Sequence, residues 1–560
     1  MSRRFFNGIV RNKKKTVVLF VLFTLLVLPL GITVHQDFSV ERYYVSTSGT
    51  RQKYGAFKTL FRRQDEQVYC FFKDPHFSWQ SYRDLAAIAE GFSRLGLKEV
   101  TWFGNRVSGL TFETRGSFDA TKIKAADSFY DGIYWNKART TFVVSGYLEP
   151  GSAQSCRLET LDRDLKKLIA PYKTPGRTLE LSGTPIITTR YFQFIQKDQM
   201  VFMGASFVLL FIVMFLIMGS VKGLVLFLLS VIPAWAAIFA ILGVSEQPVT
   251  ALMSILPLIL LIVGISDSIH IVTPLKRARE QGDAAVVEVF SRLWFPCFLT
   301  SLTTALGFAS LFFTNIPAVV SFGLFTALGI MLTYVASMVL FPALLSCFPL
   351  KKSSPAERLI DRISRGLPRF VHRFRFYCVG MALLVMATLG IFYRALRVDT
   401  YMVDDIKPKN PIVRTIKWIG QEGFGVFKVN LVLKPRVFLG DPKMVAWMRD
   451  FARWATQDLR VKKVVSPHHI MDQVNSRLPF PMPDWEVLWG TPTGQRLFAP
   501  VYHAQKKTGQ IIIFLDDAGT LETKKLVARI HSRLNRVPPP AKAHLTGTTL
   551  VAQRSFDSVV

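Results

Sequence analysis

Apolar and polar residues follow one another along this chain in long blocks. Seven apolar runs are long enough to cross a hydrocarbon core about 30 Å thick, which takes about 20 helical residues. They occupy residues 16–34, 200–218, 223–242, 249–272, 294–313, 319–348 and 376–393. Two soluble stretches, 35–198 and 394–560, follow the first and the seventh run. The pattern predicts a polytopic α-helical membrane protein with a five-helix bundle over 200–348 and two large soluble domains.

The two soluble stretches show the same order of predicted elements. The first has strands at 68–73, 98–103, 140–148 and 177–183, with helices at 79–95 and 158–170. The second has strands at 427–433, 461–466, 509–515 and 541–547, with helices at 441–457 and 521–534. The order βαββαβ is that of ferredoxin-like domains. We therefore expect two α+β domains of this type.

The sequence also repeats internally. The segment LSGTPIITTRYF (181–192) matches LTGTTLVAQRSF (545–556) at its Leu, Gly, Thr, Arg and Phe positions. A repeat of this length sets the architecture of the chain. Because five apolar runs follow the first copy, we expect a second five-helix bundle beyond Val560. The alternative is a natural half that pairs with a partner chain.

Basic residues explain the formal net charge of +30 and predict the orientation. They gather at 1–15, 273–293 and 349–375, and positive charge beside membrane helices marks the cytoplasmic side. Both soluble domains are then external. The first apolar run is long for a signal peptide and precedes no small-residue cleavage site, so we expect an uncleaved helix. The segment 355–375 reads either as an amphipathic interfacial helix or as a solvated linker.

Other classes of function find little support in the sequence. No basic domain with an aromatic RNA-type motif occurs, so we expect no nucleic-acid partner. No Gly-Lys dipeptide occurs, which argues against a P-loop ATPase, and we expect neither an enzyme nor a cofactor. His468, His469 and Asp472 are read as surface residues rather than metal ligands.

Two further features leave alternatives open. Cys70 and Cys156, in the first external domain, are either a disulfide or two free thiols. The apolar insert with Phe480, Met482 and Trp485 is either a substrate lip or an interface with the other half.

The run 249–272 contains an aspartate. Asp267 lies nine residues before Lys276, or about 14 Å along a helix, which places it near the middle of the membrane. A carboxylate in hydrocarbon is costly and marks a functional site by default. His270, at i+3, shares its helix face, and Gly264, one turn before, allows a neighbouring helix to approach. We predict a proton relay at Asp267 and His270; the alternative is a buried polar contact that holds helices together.

Small and hydroxyl residues accompany this aspartate. They are Ser268 beside it, and Thr300, Ser301, Thr303, Thr304 and Gly307 in the next apolar run. We expect this set to support the relay by polar contacts and close packing.

The segments VGISDSIHIV (263–272) and TSLTTALGFASL (300–311) resemble the fourth- and fifth-helix signatures of MMPL-like exporters. These belong to the RND (resistance-nodulation-division) superfamily and are relatives of Patched and other sterol-sensing-domain proteins. The resemblance implies a bacterial inner membrane and export of hydrophobic or amphiphilic molecules, often lipids, driven by the proton-motive force, with Asp267 as proton carrier. Ser268 stands where many MMPL proteins have a tyrosine.

Membrane lipids and further copies of the chain are the other expected partners. The alternatives are a protein-export accessory resembling SecD or SecF and a lipid-sensing receptor.

Overall fold

The computed structural model describes most of the chain. The described residues are 2–34, 55–57, 60–61, 66–107, 110, 112–125, 130–149, 155–218, 221–250, 252–278, 282–348, 371–395, 410–435, 438–476, 485–491, 494, 498–503, 506–516, 520–547 and 549–550. They form two compact units. A membrane unit comprises Met1–Tyr43 and Phe194–Arg397, and a soluble unit comprises Tyr44–Gln193 and Val398–Val560.

The secondary-structure elements are named here in chain order. Those of the first half are α1 (Ser2–Arg11), α2 (Lys13–Ile32), β1 (Gln67–Lys73), α3 (Trp79–Arg94), β2 (Lys98–Thr101), α4 (Phe103–Arg106), α5 (Ala120–Ala125), β3 (Thr141–Tyr147), α6 (Ser155–Ile169), β4 (Thr178–Ser182), α7 (Thr184–Met218), α8 (Val221–Val244), α9 (Leu256–Ala278), α10 (Asp283–Ala309) and α11 (Pro317–Cys347). Those that follow are α12 (Arg375–Ala395), α13 (Pro411–Gln421), β5 (Phe427–Pro435), α14 (Pro442–Ala455), β6 (Val461–Val465), α15 (Pro467–Asn475), α16 (Trp485–Gly490), β7 (Tyr502–His503), β8 (Thr508–Leu515), α17 (Thr520–Arg536) and β9 (Ala541–Thr546).

Within the described residues, six helices are long and apolar enough to cross a membrane. Their spans are Lys13–Gly31, Thr184–Leu216, Val221–Val244, Asp283–Phe313, Pro317–Cys347 and Arg375–Phe392. The helix of the remaining predicted span, α9, is continuously apolar over the shorter stretch Met253–Ser268. The chain is therefore a multi-pass membrane protein. The helix α7 begins at Thr184, well before the predicted start at residue 200, because the polar residues ahead of its apolar part continue the same helix.

Small residues set the spacing of the membrane helices. A Cβ on Gly329 of α11 would lie 2.9 Å from a methyl carbon of Leu260 in α9. A Cβ on Gly31 of α2 would lie 3.1 Å from the Cβ of Phe239 in α8. Lipid tails are as apolar as leucine, so membrane helices associate through such close packing rather than through the hydrophobic effect. The most buried spans are α8 and α11, which form the centre of the bundle.

The first soluble sheet has the order β2-β3-β1-β4, and all its neighbouring strands are antiparallel. Its central strand β1 pairs with β3 from Gln67 opposite Tyr147 to Lys73 opposite Thr141. Apolar side chains of α3 and α6 join the sheet in one core, which includes Phe72, Phe92 and Leu165. The helix α3 begins at Ser78, whose hydroxyl accepts the Ser81 backbone N–H in a capping box.

The second soluble sheet has the order β6-β8-β5-β9, with β7 added beside β8. Strand for strand, this main order repeats that of the first sheet. Its core joins α14 and α17 to the sheet through residues such as Leu431, Phe451 and Ile530. Asp441 caps α14 by accepting the Lys443 backbone N–H at 2.8 Å, and Pro442 occupies the first helical position.

Each soluble domain also contributes a segment to the other sheet. The helix α13 precedes β5, yet Ile419 and the following Phe424 pack on Phe71 and Val143 of the first sheet. Residues 55–61 precede β1, yet Phe57 and Phe61 pack on Val432 of the second. Polar contacts of Glu422, just after α13, also join the second domain to the first. Its carboxylate pairs with Lys73 and accepts bonds from the amide of Asn136 and the hydroxyl of Thr141. The two domains are thus interlocked.

The structure describes some of the residues for which the sequence leaves alternatives open. Cys70 is a free thiol buried in the first core, whereas the side chain of Cys156 lies outside the described residues. The segment 349–370, Phe480 and Met482 also lie outside them. Trp485 is buried in the second core. His468 was expected at the surface, but it is 2% exposed, because α15 packs its ring into the second soluble domain.

Candidate functional site

The helix α9 carries Asp267 into the interior of the membrane bundle. The residue is 3% exposed, and Ser268 beside it is fully buried. Ser301 of α10, itself 1% exposed, donates a hydrogen bond of 3.2 Å from its hydroxyl to Asp267 Oδ2. The sequence thus brings one carboxylate and one hydroxyl, from two consecutive membrane helices, into direct contact.

Within the described chain, no Lys, Arg or His side chain forms an ion pair with Asp267. A buried charge without a partner of opposite sign is costly in a medium of low dielectric constant. One neutral hydroxyl donor offsets only part of that cost, since a net hydrogen bond to a charged group contributes about 1.5–3 kcal/mol. The ionised form of Asp267 is therefore the costly form in this environment.

A second polar stripe, which the sequence reasoning missed, lies on α11. Thr326, Thr333 and Ser337 are fully buried there. With Gly329 they are spaced by three, four and four residues, which places them on one helix face. A Cβ on Gly264 of α9 would lie 3.2 Å from Thr333 Cγ2, so α9 and α11 touch along this stripe. The spacing of these four small residues is visible in the sequence, and it could have predicted this polar stripe.

Two of these buried hydroxyls have no hydrogen-bond partner among the described residues. They are Ser268 Oγ on α9 and Thr326 Oγ1 on α11. By contrast, Thr333 and Ser337 donate to carbonyls of their own helix, at 2.9 and 3.1 Å. Unsatisfied hydroxyls are rare in protein interiors and need an explanation. One of these two hydroxyls belongs to Ser268, the residue next to Asp267 in the sequence.

Several other predicted site residues do not face Asp267, in contrast to Ser268 beside it and Gly264 at the contact with α11. His270 is exposed on the flank of α9. Thr300, Thr303 and Thr304 are exposed on α10, where each hydroxyl donates to a carbonyl of its own helix at 2.8–2.9 Å. No described atom lies within 4 Å of a Cβ built on Gly307, so it makes no close helix contact. Of the hydroxyl cluster in the fifth run, only Ser301 reaches the carboxylate, because its neighbours point away on the same helix.

An apolar cleft of about 230 Å³ opens beside the site. Its walls are Phe207, Val208, Leu210, Phe211 and Met214 of α7, Leu224, Phe227 and Leu228 of α8, and Leu261 and Ile265 of α9. The two residues from α9 lie within two turns of Asp267 on the same helix. Phe227 also lies 3.4 Å from a Cβ built on Gly264. The cleft is therefore lined in part by the helix that carries the carboxylate.

Comparison with known proteins agrees with this architecture. The model of the MMPL family matches residues 136–374. The solved structure of the hedgehog release protein Disp from the water bear Hypsibius dujardini is similar, with a TM-score of 0.56 and 11% sequence identity. The likeness covers 100% of this chain and 80% of that one, and at this identity it reports the fold alone. No curated protein sequence matches the chain at a significant level.

The apolar helices define a multi-pass membrane protein, and its fold is similar to that of Disp. Over residues 136–374, which include both Asp267 and Ser301, the chain matches the MMPL family and is MMPL-like. Members of this family are transporters rather than enzymes.

Proposed function

We propose that this protein exports hydrophobic or amphiphilic molecules, most simply lipids, and that protons moving through Asp267 drive the export. The observation that carries the proposal is the isolation of Asp267. The carboxylate is 3% exposed and bonded by the single hydroxyl of Ser301 in the described chain. A residue that serves packing alone would cost less free energy as an amide or an apolar side chain. A proton carrier, by contrast, must be able to ionise.

The proposed mechanism follows from the contacts of the site. In the charged state, Asp267 needs the hydroxyl of Ser301 and favours the packing that supplies it. Protonation removes the charge and with it much of that preference, so α9 and α10 are free to change their relative position. The tight contact of Gly264 with Thr333 transmits such a shift to α11. We infer that this movement alternates access between the two sides of the membrane.

The cleft supports the proposed class of substrate. Its ten lining side chains are all apolar, as an acyl chain or a sterol requires, and pockets of this kind usually add only a few polar groups. Leu261 and Ile265 belong to the helix that carries the proton site. Repacking of α9 on protonation would therefore change the shape of the cleft, which gives a direct physical link between proton binding and lipid binding.

The soluble unit completes the proposal. The shared strand order of the two sheets supports two ferredoxin-like domains related by an internal repeat. By the positive-inside rule, the basic segments support an external position for both domains, which we propose to be outside a bacterial inner membrane. There they would receive the substrate. Interlocking through Glu422 favours joint movement of the two domains. A homo-oligomer and a further bundle or partner chain belong to the same proposal.

The proposal is tested by lipid efflux from proteoliposomes under an imposed pH gradient. Wild type, Asp267→Asn and His270→Gln are compared at equal protein content. We expect efflux from wild type, none from Asp267→Asn, and slower efflux from His270→Gln, whose side chain lies outside the buried site. Efflux at the wild-type rate from Asp267→Asn would overturn the proposal.

A lipid-sensing receptor is the second candidate, because the apolar cleft would serve it equally well. The same vesicles separate the two functions. Saturable binding of a fluorescent lipid with no efflux under any gradient would favour the sensor.

A further inference from the structure

The first ten helical residues form an amphipathic helix of their own. In α1, Phe6, Ile9 and Val10 are 3%, 8% and 3% exposed, whereas Phe5 is 56% exposed. The buried residues are spaced i, i+3 and i+4, which places them on one face. This face is packed against protein, so α1 is more than the basic tail that the sequence alone predicts.

The helix α1 contacts two membrane helices at their ends. The ring of Phe6 lies 5.8 Å from the ring of Phe290, in the first turns of α10. Arg3 forms an ion pair with Glu288, also in α10. Just beyond α1, the Lys13 ammonium lies 2.9 Å from the Asp283 carboxylate. It also donates to the Ser346 carbonyl, at the end of α11, at 3.2 Å. The segment thus bridges the start of α10 and the end of α11.

The apolar cluster that receives α1 reaches the proton site. It contains Phe6, Ile9 and Val10 together with Ile271 of α9, Phe290 of α10 and Phe341 of α11. Ile271 is fully buried and follows Asp267 by four residues, or about 6 Å along the helix. These residues form an apolar layer that joins α1, which supplies three of its side chains, to the turn of α9 just after Asp267.

We propose that α1 is a latch that closes the cytoplasmic end of the proton path from Asp267. This inference rests on the proposed function and its orientation. Docked, the apolar face of α1 holds the start of α10 and the end of α11 together and keeps water from the carboxylate. Undocked, it lets these ends separate and opens the layer to the cytoplasm. The exposed ion pair of Arg3 and Glu288 contributes little, so the buried apolar face provides the hold.

Cys297 provides a test that does not depend on transport. It lies on α10 one turn before Ser301 and is 3% exposed. In a protein whose other four cysteines are replaced by alanine, a membrane-impermeant maleimide is added to the cytoplasmic face of inside-out vesicles. We expect Phe6→Ala to speed the labelling of Cys297 about tenfold. Phe5→Ala, the exposed neighbour on the same helix, should leave the rate unchanged. Equal rates in Phe6→Ala and wild type would overturn the latch.

A reversible cross-link provides the second arm, in case Phe6→Ala disturbs folding. Arg3 and Glu288 are both changed to cysteine in a background lacking the native ones, and an oxidant then fixes α1 in place. We expect lipid efflux to fall about tenfold and to return on reduction. Unchanged efflux in the oxidised protein would contradict the latch. If proton coupling fails but Cys297 labelling still depends on Phe6, α1 closes this end of the bundle to water, and the proposed proton role of Asp267 falls.

Discussion

Ser301 donates a hydrogen bond of 3.2 Å to Asp267, and this bond ties α10 to α9 inside the membrane unit. Both residues are nearly fully buried. The contact joins the two sequence segments on which the family resemblance rests. It also assigns a specific role to one hydroxyl of a cluster whose other members turn outward.

Replacing this hydroxyl should impair transport without unfolding the protein. In Ser301→Ala, the ionised carboxylate loses its described donor, a loss of about 1.5–3 kcal/mol for a charged acceptor. We expect transport to slow by roughly tenfold or more, since about 1.4 kcal/mol corresponds to a factor of ten. Thr303→Ala is the matched control, because Thr303 is exposed and donates only to the Thr300 carbonyl of its own helix. Equal transport by the two variants would show that the bond to Asp267 is immaterial.

Close packing at Gly264 makes a separate prediction. A Cβ there would lie 3.2 Å from both Thr333 Cγ2 and Val231 Cγ2. Gly264→Val should therefore lower the free energy of unfolding by about 1–3 kcal/mol through overpacking. Gly307→Val places the same side chain where no described atom lies within 4 Å. Thermal denaturation in detergent should separate the two variants, and equal midpoints would rule out a tight α9–α11 contact.

The second soluble domain should lose stability in mild acid. Burial is the main cause of a lowered pKa at two histidines of this domain. The pKa of His468 falls to about 3 and that of His469 to about 4. The unfolded chain titrates its histidines near 6.5, so it binds more protons than the folded chain below that pH. Above about pH 6.5, both histidines are neutral in the folded and the unfolded chain, and the domain has its full stability. This stability is lost as the pH falls toward 4, because the unfolded chain then takes up protons that the folded domain does not.

This pH dependence can be measured on the whole protein. The midpoint of thermal unfolding of the soluble unit should fall between pH 7 and pH 4.5, and His468→Leu should flatten that fall. His76→Leu, which changes an exposed histidine of the first domain, is the control. An unaltered pH profile in His468→Leu would mean that the buried ring does not control acid stability.

The proposed orientation predicts which sites react from outside the cell. Cysteines introduced at exposed Lys98 of the first domain and at Leu459 of the second, which is 96% exposed, should both react in intact cells. A cysteine at Arg4 should react only after the membrane is opened. Native Cys70 should not be labelled, because burial raises the pKa of its thiol to about 12. Labelling of only one of the two external sites would contradict the orientation.

Sequence patterns predicted the regular elements more accurately than the contacts between them. The strands β1, β6 and β9 lie within one residue of their expected bounds, because alternation and β-branched runs are local signals. The helix α13 was not predicted. Its apolar residues cover the sheet of the other domain, and no local pattern reveals so distant a partner.

The same limit applies to the candidate site. Asp267 stood out because a carboxylate is rare in an apolar run. His270 was predicted from its i, i+3 spacing and Thr304 as a member of the hydroxyl cluster, and the rotation of α9 and α10 in the bundle turns both outward. The stripe of Thr326, Thr333 and Ser337 carries no charge, so it resembled ordinary helix packing in the sequence.

The central claim is that Asp267 carries protons during transport, and proton movement itself tests it most directly. A pH-sensitive dye enclosed in proteoliposomes reports proton flux on addition of a lipid substrate, for wild type and Asp267→Asn at matched protein content. Asparagine keeps the shape of the side chain but cannot ionise, and it removes the costly buried charge, so folding and insertion should persist. We predict substrate-dependent proton flux in wild type and none in Asp267→Asn. Equal substrate-dependent flux in the two proteins would contradict a proton-carrying role for Asp267.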